Sequence, residues 1–362
     1  MQVRLYRPSQ LTQRQIESWR ELMHVHAWRR HPHLTPEWAQ IIERVGRPVE
    51  VAEFQTPEST GWFAYERLSR NRAIPLSGPF SDCQAIHTPA HLSLDIRHLL
   101  VACRLTSFRF DHVPVGESWT ESAQWEADRA FEVSLLGGYS QYWEQLQRSH
   151  SEWCRQLERK RRKLSREVGA VRFELHQDSS SAMNALIEWK QRQLVSGGMK
   201  NVFRFPWSKS LLNQTIREQS TDFSGWLSTL YAGQQLVAVH LGQRSGQVLN
   251  AWIPAHHPGF SAYSPGALLH LELLRRSAEE GITQVDLGRG ENPLKIRLAN
   301  SISMMAIGMV HRNRWRQWCS RRWFQIRSRL IRASKSQKWV RLCRNHTQNT
   351  GKRRNPDKLN RN

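Results

Sequence analysis

Three side chains that can move protons or bind anions follow one another closely in the second half of the chain: Asp286, Glu291 and Lys295. Asp286 ends a short apolar segment that predicts a strand, and the glycines of the DLGRG sequence allow the backbone to turn sharply there. A carboxylate at a strand's carboxyl end could orient or deprotonate an acceptor, and the lysine could bind phosphate or stabilise negative charge. A structural role is equally open for Asp286, which could bond turn amides and pair with Arg289 or Lys295.

Further candidates lie in the strands and loop that precede this segment. His240 alternates with apolar residues and could be a general base, because histidine titrates near neutral pH, or it could be an ordinary strand residue. A tyrosine near the site could donate a proton to a leaving group. We assign substrate binding to Trp252, His256, Tyr263 and Glu291, and His257 lies beside them in the sequence.

A helix start follows the loop at Ser264-Pro265-Gly266. Serine can cap a helix, proline suits its first position, and the unpaired amides of a helix start attract phosphate. The same three residues could also do no more than cap a packed helix. We assign the binding of a phosphate-bearing cofactor to Ser264, Pro265, Gly266, Ala267, Gly288 and Arg289.

The surrounding pattern predicts an α/β (α+β) fold. In the first half, helix-like periodicity at 11–28, a second helix from Thr35-Pro36, strands near 49–65, the PLSGPFSD loop and a helix at 91–102 follow one another. In the second half, the strands 225–231, 235–242 and 247–253 predict an antiparallel meander, followed by the helix 267–281 and the strands 282–287 and 303–310. The predicted domains are 1–138, a basic linker helix at 139–169, a second domain at 170–310 and a basic helical tail at 311–362.

Charge is concentrated at one end of the 362-residue chain. Residues 311–362 carry 17 Lys and Arg against one acidic residue, a net charge of +16 out of the chain's +22. No apolar run approaches the ~20 residues of a membrane span, and the first residues lack the order of a signal peptide. The five cysteines form no CxxC pair, which predicts reduced thiols and a cytoplasmic location.

Several other site types do not fit the sequence. The cluster His24, His26, His31 and His33 has neither the HExxH spacing nor the neighbouring acids of a zinc site, so we predict surface or core histidines and no metal. DLGRG lacks the third glycine of a dinucleotide fingerprint, and no GxSxG, P-loop or kinase set occurs.

The segment SAYSPGALLHLELLRRSAEEGITQVDLGRGENPLKIRLANS resembles the core of the CelD-like, BioF2-like acyltransferases of the GNAT superfamily, which accompany bacterial cellulose and exopolysaccharide genes. HPHLTPEWAQ, WCRQLERKRRKLSREVGAVRFEL and LVAVHLGQRSGQVLNAWIPAH extend the resemblance over roughly residues 30–310. The family's aromatic residue before the lysine is Leu294 here, and its tyrosine–acid pair is His256-His257.

The resemblance implies two GNAT-like domains with mixed, mostly antiparallel sheets flanked by helices, the donor site lying in the second domain as in Fem-type aminoacyl transferases. It implies acetyl-CoA or another acyl-CoA as co-substrate and an amine on an amino sugar or similar small acceptor. On this interpretation Asp286, Lys295 and His240 are catalytic. Two alternatives remain: a Fem-like transferase that uses aminoacyl-tRNA, gripped by the basic helix 155–166, and a catalytically silent GNAT-fold module.

The tail predicts an amphipathic helix in which Trp315, Cys319, Ile326 and Leu330 form a stripe, followed by a disordered polar segment from Asn345. Tryptophans beside arginines suit the interface of an anionic membrane at least as well as nucleic acid. A merely solvated tail is the third option. We expect a peripheral contact with the inner membrane rather than nucleic acid.

Overall fold

The computed structural model describes residues 1–55, 59–89, 92, 94–176 and 179–328. The chain divides into two compact units, Met1–Arg312 and Asn313–Asn362. In the second unit the described residues include a helix at 314–328. The predicted role of Leu330 and the predicted disorder from Asn345 lie outside the described residues.

One continuous mixed sheet runs through the first unit, with the strand order β1-β2-β3-β4-β5-β12-β6-β11-β10-β9-β8-β7. Its strands are β1 Gln2–Tyr6, β2 Val49–Gln55, β3 Thr60–Ser69, β4 Arg72–Ile74, β5 Ser107–Pro114, β6 Gln124–Ser134, β7 Val171–Glu174, β8 Ser224–Ala232, β9 Gln235–Ser245, β10 Val248–His256, β11 Gln284–Arg289 and β12 Ser301–His311.

The sheet contains two similar strand sequences. In each, a parallel pair follows antiparallel strands: β4 with β5 in the first half, and β10 with β11 in the second. Between these pairs the two halves exchange strands, because β6 of the first half pairs with β11 while β12 of the second half pairs with both β5 and β6. The last strand was expected to close the second domain; it lies instead beside strands of the first half. The predicted domain boundaries stay a prediction.

Helices cover the faces of this sheet. They are α1 Gln13–Met23, α2 Pro36–Arg44, α3 Ile96–Ala102, α4 Gly138–Ser149, α5 Ser151–Glu167, α6 Ser180–Ser196, α7 Pro206–Arg217, α8 Pro265–Glu279 and α9 Pro293–Leu298. Short 3-10 turns include Ala27–Arg30, Pro32–Leu34, Gly78–Phe80 and Pro258–Tyr263.

Local chemistry explains most helix starts. The Thr35 hydroxyl accepts a hydrogen bond from the Trp38 amide and Pro36 holds the first helical position, as the sequence predicts. The first predicted helix is shorter than expected, because α1 ends at Met23 and a 3-10 turn follows. The helix expected at 91–102 begins at Ile96 with Asp95 as its cap; residues 91 and 93 lie outside the described residues.

Apolar packing joins the two halves of the first unit. One buried cluster combines Trp19, Trp38 and Trp62 of the first half with Leu186, Leu211 and Leu241 of the second. Burial of a large apolar side chain contributes about 2–3 kcal/mol, so this shared core fixes one half against the other. The segment after α1 is thereby placed against the strands of the second half.

Candidate active site

The two strands of the parallel pair β10–β11 run together over three positions only. Val248–Asn250 pair with Gln284–Asp286, and in the same stretch a bulge between Asn250 and Ile253 interrupts the pairing of β10 with β9. Asn250 and Asp286 are therefore side by side at the last paired position of the two strands. Strand divergence of this kind opens a cleft at the carboxyl end of a sheet.

Asp286 is buried at this point, with both carboxylate oxygens hydrogen-bonded. Oδ1 accepts from the Gly288 amide at 2.7 Å, and Oδ2 accepts from Asn250 Nδ2 at 3.0 Å and from His31 Nε2 at 3.0 Å. Burial raises the pKa of Asp286, but the hydrogen bonds that it accepts from His31 and from the Gly288 amide outweigh this effect, so the pKa is lowered. The carboxylate is ionised at neutral pH and can polarise the imidazole.

His31 comes from the first half of the chain, in the turn between α1 and α2. Its Nδ1 accepts a hydrogen bond from the His33 amide at 3.1 Å, so the proton of the neutral ring is on Nε2 and is donated to Asp286. Its side chain is 6% exposed. Both ring nitrogens are thus engaged, so the imidazole orients the Asp286 carboxylate, and Asp286 is the candidate general base of the pair.

A second carboxyl group, Asp82, lies beside the first. Its Oδ2 accepts from Asn250 Nδ2 at 3.3 Å, and its backbone amide donates to His33 Nδ1 at 2.9 Å. Burial raises the pKa of Asp82, although the charge of His112 opposes it. Asn250 thus donates to two neighbouring carboxyl groups, one from each half of the chain.

Lys295 closes the other side of this cluster. Its Nζ donates to the carbonyl oxygens of Gly288 at 3.2 Å and Arg289 at 3.0 Å. Burial lowers its pKa, against the charges of Asp82 and Asp286. Gly288 has φ +80°, and a Cβ there would meet Lys295 Nζ at 3.5 Å and Asp82 Oδ2 at 3.8 Å. The absence of a side chain leaves space between an ammonium and a carboxyl group.

The start of α8 differs from the expected cap. Ser264 adopts a left-handed conformation, φ 55°, and its side chain makes no cap hydrogen bond; instead its hydroxyl accepts from Lys160 Nζ at 2.8 Å. The amides of Ala267 and Leu268 bond the Ser264 carbonyl. The predicted serine cap is therefore wrong, whereas proline does hold the first position, and Gly266 is the residue whose amide could face an anion.

His240 does not join the Asp286 cluster. It is fully buried on the face of the sheet that packs on α8, and neither ring nitrogen has a hydrogen-bond partner among the described residues. Burial, with the charges of His270 and Lys190, lowers its pKa well below the usual value. In this position it resembles a core residue more than a proton carrier.

The predicted acceptor residues are spread over several surroundings. Trp252 donates from Nε1 to the Phe80 carbonyl at 2.9 Å and packs edge-on against His33. His256 Nδ1 lies 3.6 Å from the position of a Cβ on Gly266, which places it at the start of α8.

Two other predicted residues face outward. The Tyr263 hydroxyl donates to Glu167 Oε2 at 2.7 Å, and this hydrogen bond raises its pKa. Glu291 is 59% exposed and pairs with Arg129.

Sequence patterns gave no reason to join His31, Asp82 and Asn250 with Asp286. His31 is 255 positions from Asp286, and Asp82 lies in a segment predicted only as a loop. Lys190 on α6 was also missed: its Nζ donates to the Pro254 carbonyl at 3.0 Å, and burial lowers its pKa to about 8. The hint available was His31 at the start of HPHLTPEWAQ, a histidine directly before a proline.

Metal sites and membrane-spanning helices are both absent from the part of the chain that the structure describes. No group of three or more His, Cys, Asp or Glu side chains there is arranged to hold a metal ion. In the same part of the chain no helix has the length and apolar character needed to cross a membrane. Of the four clustered histidines, His31 and His33 are buried, whereas His24 and His26 are exposed.

Comparison with known proteins defines the class. Residues 151–295 match the family model described as an acetyltransferase (GNAT) domain. The crystal structure of FemX superposes with a TM-score of 0.57 at 9% identity, covering 85% of this chain and 96% of that one. The chain therefore contains a GNAT-type acetyltransferase domain within a mixed α/β fold of GNAT type.

A second solved structure and the curated sequences complete the comparison. A tandem GNAT protein from the clavulanic acid biosynthesis pathway matches with a TM-score of 0.48 at 9% identity, covering 86% of this chain and 99% of that one. No curated protein sequence matches the chain.

Proposed function

We propose that the protein is an N-acyltransferase that moves an acyl group from acyl-CoA to an amine. The observation that carries the proposal is the ionised Asp286, bonded to the His31 imidazole at the position where β10 and β11 separate within a GNAT-type domain. Acyl transfer to an amine needs a base for the nucleophile, a donor for the developing oxyanion and a proton for the thiolate. The cluster offers groups of each kind.

In this mechanism Asp286, held by His31, takes a proton from the acceptor amine as the amine nitrogen attacks the thioester carbonyl. The bulge after Asn250 takes residues 251 and 252 out of the pairing with β9, which frees backbone groups of β10 for the cleft. Lys295 adds a positive charge to the same side of the cluster. Preorganised donors of this type typically contribute about 2.7–4 kcal/mol to the transition state.

The start of α8 is the proposed seat of the donor's phosphates. Lys160 reaches Ser264 from the basic helix α5, and the Cβ position of Gly266 meets no neighbour closer than 3.6 Å. An anion could therefore approach the backbone closely between a lysine and a helix N-terminus. Ala267, Gly288 and Arg289 remain assigned to the donor as predictions.

Calorimetric titration with acetyl-CoA tests the donor site. Wild type should bind saturably, and Gly266→Glu should lose binding because it places bulk and negative charge at the seat. Asn184→Glu, which adds the same side chain at an exposed position of α6, is the matched control and should bind like wild type. Wild type that binds no acetyl-CoA, or Gly266→Glu that binds normally, would refute the donor site.

Turnover tests the catalytic assignment. Lys295→Ala should abolish release of free thiol from acetyl-CoA in the presence of an amine acceptor, with a melting temperature close to wild type. If the variant collapses in stability instead, Lys295 has the structural role that the sequence left open.

A Fem-like, aminoacyl-tRNA-dependent transferase is the second candidate, and the fold likeness to FemX favours it. Arg155, Arg159 and Arg166 on α5 are more than 60% exposed and could contact RNA phosphates. Transfer from charged tRNA, without turnover of acetyl-CoA, would select this candidate. Binding of acetyl-CoA without any transfer would select a silent GNAT-fold module.

The acceptor and the location extend the proposal. From the CelD-like resemblance we infer an amino sugar or similar small amine in polysaccharide or envelope synthesis, in the cytoplasm at the inner membrane. Trp315, Trp318 and Trp323 on the helix 314–328 are each at least 50% exposed between arginines, which suits an anionic lipid surface. Full-length protein should float with anionic vesicles and a variant ending at residue 312 should not; flotation of the shortened protein would refute the membrane role.

A further inference from the structure

The two carboxyl groups at the site have different surroundings although one amide joins them. Asn250 Nδ2 lies 3.0 Å from Asp286 Oδ2 and 3.3 Å from Asp82 Oδ2. Asp286 has two further donors, the Gly288 amide and His31, whereas Asp82 has no second side-chain donor among the described residues. Neighbouring carboxyl groups cannot both ionise freely, and the one with fewer donors retains the proton.

The following inference rests on the proposed acyl transfer. We propose that Asp82, from the first half of the chain, is a second catalytic residue. Its protonated carboxyl group donates a proton to the departing thiolate. Asp286, held by His31, meanwhile accepts the proton of the amine. The two halves of the chain would thus each contribute one carboxyl group to a single acid–base pair.

The position of Asp82 favours this role over that of a packing residue. Asp82 is half-buried, whereas Asp286 is only 6% exposed. Its Oδ2 lies 3.8 Å from the empty Cβ position of Gly288, so it borders the space beside the two separating strands. The groups that face it are His31, His33 and Asn250, with Lys295 across Gly288 and the charge of His112 nearby.

The other acid considered for this step is occupied elsewhere. The Tyr263 hydroxyl donates to Glu167 on the surface of α5, which turns its proton away from the cleft. Burial and the neighbouring charge of Asp286 both raise the pKa of Asp82, which is the direction that a general acid requires. A protonated carboxyl group has one O–H to donate.

The step balances without any further reactant. The amine nitrogen forms the new C–N bond and loses its proton to Asp286; the C–S bond breaks and its electron pair stays on sulfur. The thiolate takes the proton of Asp82, which leaves an ionised Asp82. Return of the proton from Asp286 to Asp82, past the shared Asn250, restores the starting state.

Leaving-group dependence is the test. With acetyl-CoA, Asp82→Asn should lower kcat about 10²-fold or more, the usual contribution of a general acid. With an aryl thioester, whose thiolate leaves without protonation, Asp82→Asn should recover to within about tenfold of wild type, because the missing acid is no longer needed. Asp286→Asn should remain slow with both substrates, because the base is still missing. Asp95→Asn, which keeps a capping residue on α3, is the folding-neutral control.

Each outcome decides between the two proposals. Wild type that is inactive with acetyl-CoA refutes the acyl-CoA function itself. An active wild type with Asp82→Asn equally impaired on both thioesters, or unimpaired on acetyl-CoA, refutes only the role of Asp82. If Asp82→Asn does not fold, wild type alone decides: rates that fall steeply with rising leaving-thiol pKa would overturn the proposal, and a shallow dependence would support it.

Discussion

Replacing His240 by leucine should remove part of the protein's sensitivity to acid while leaving acyl transfer intact. His240 is fully buried, with both ring nitrogens unpaired among the described residues. Leucine keeps a similar volume and breaks no hydrogen bond, so at pH 7 the variant should be at least as stable as wild type. This side chain was also a candidate general base, so the same variant tests two ideas.

The expected size of this effect on stability follows from proton linkage. Burial lowers the pKa of His240 well below its usual value, as it does for His33, and it lowers the pKa of His87 to about 3. Such histidines bind protons in the unfolded chain but not in the native one. Their contribution to the free energy of unfolding is therefore fully present above about pH 6.5 and is lost as the pH falls. Between pH 7 and pH 5 each neutral histidine removes about 2 kcal/mol, and the three together about 6 kcal/mol. The free energy of unfolding of a typical domain is only about 5–15 kcal/mol.

Urea unfolding at half-unit steps from pH 7 to pH 5 measures this directly. The free energy of unfolding of His240→Leu should fall by about 2 kcal/mol less than that of wild type over that range. His98→Gln, at a side chain 79% exposed, is the control and should follow wild type. A His240→Leu curve that falls in parallel with wild type would refute the linkage argument, and a large drop in kcat at pH 7 would restore His240 as a catalytic base.

Three further predictions concern the site, the fold and the tail. His31→Gln should lower kcat about 10²-fold or more with acetyl-CoA affinity unchanged, as measured by steady-state kinetics and calorimetry; unchanged kcat would remove His31 from the mechanism. Gly225→Ala should prevent stable folding, because a Cβ there would lie 2.2 Å from the Thr215 carbonyl oxygen; a cooperative urea transition like that of wild type would contradict this. Replacing Trp315 and Trp318 together by alanine should weaken binding to anionic vesicles in a co-sedimentation assay, and equal binding would show that charge alone acts.

Local sequence signals predicted much of the fold. Thr35-Pro36 starts α2, the meander β8–β9–β10 forms with short turns, and apolar alternation predicts these strands within a few residues. These features depend on neighbours along the chain, which a single sequence displays. Ser264 shows the limit of such signals: its residue type suits a cap, but its left-handed backbone directs the hydroxyl to Lys160 instead.

The sequence by itself determined the candidate chemistry of the second half: Asp286 at a strand end, glycines after it and Lys295 beyond. Tertiary structure alone decided which groups complete that chemistry. His31 and Asp82 reach Asp286 because the apolar core shared by the two halves holds the turn after α1 and the loop after β4 against β10 and β11. Contacts between residues hundreds of positions apart leave no periodicity in the sequence, since they depend on how distant elements pack rather than on local spacing.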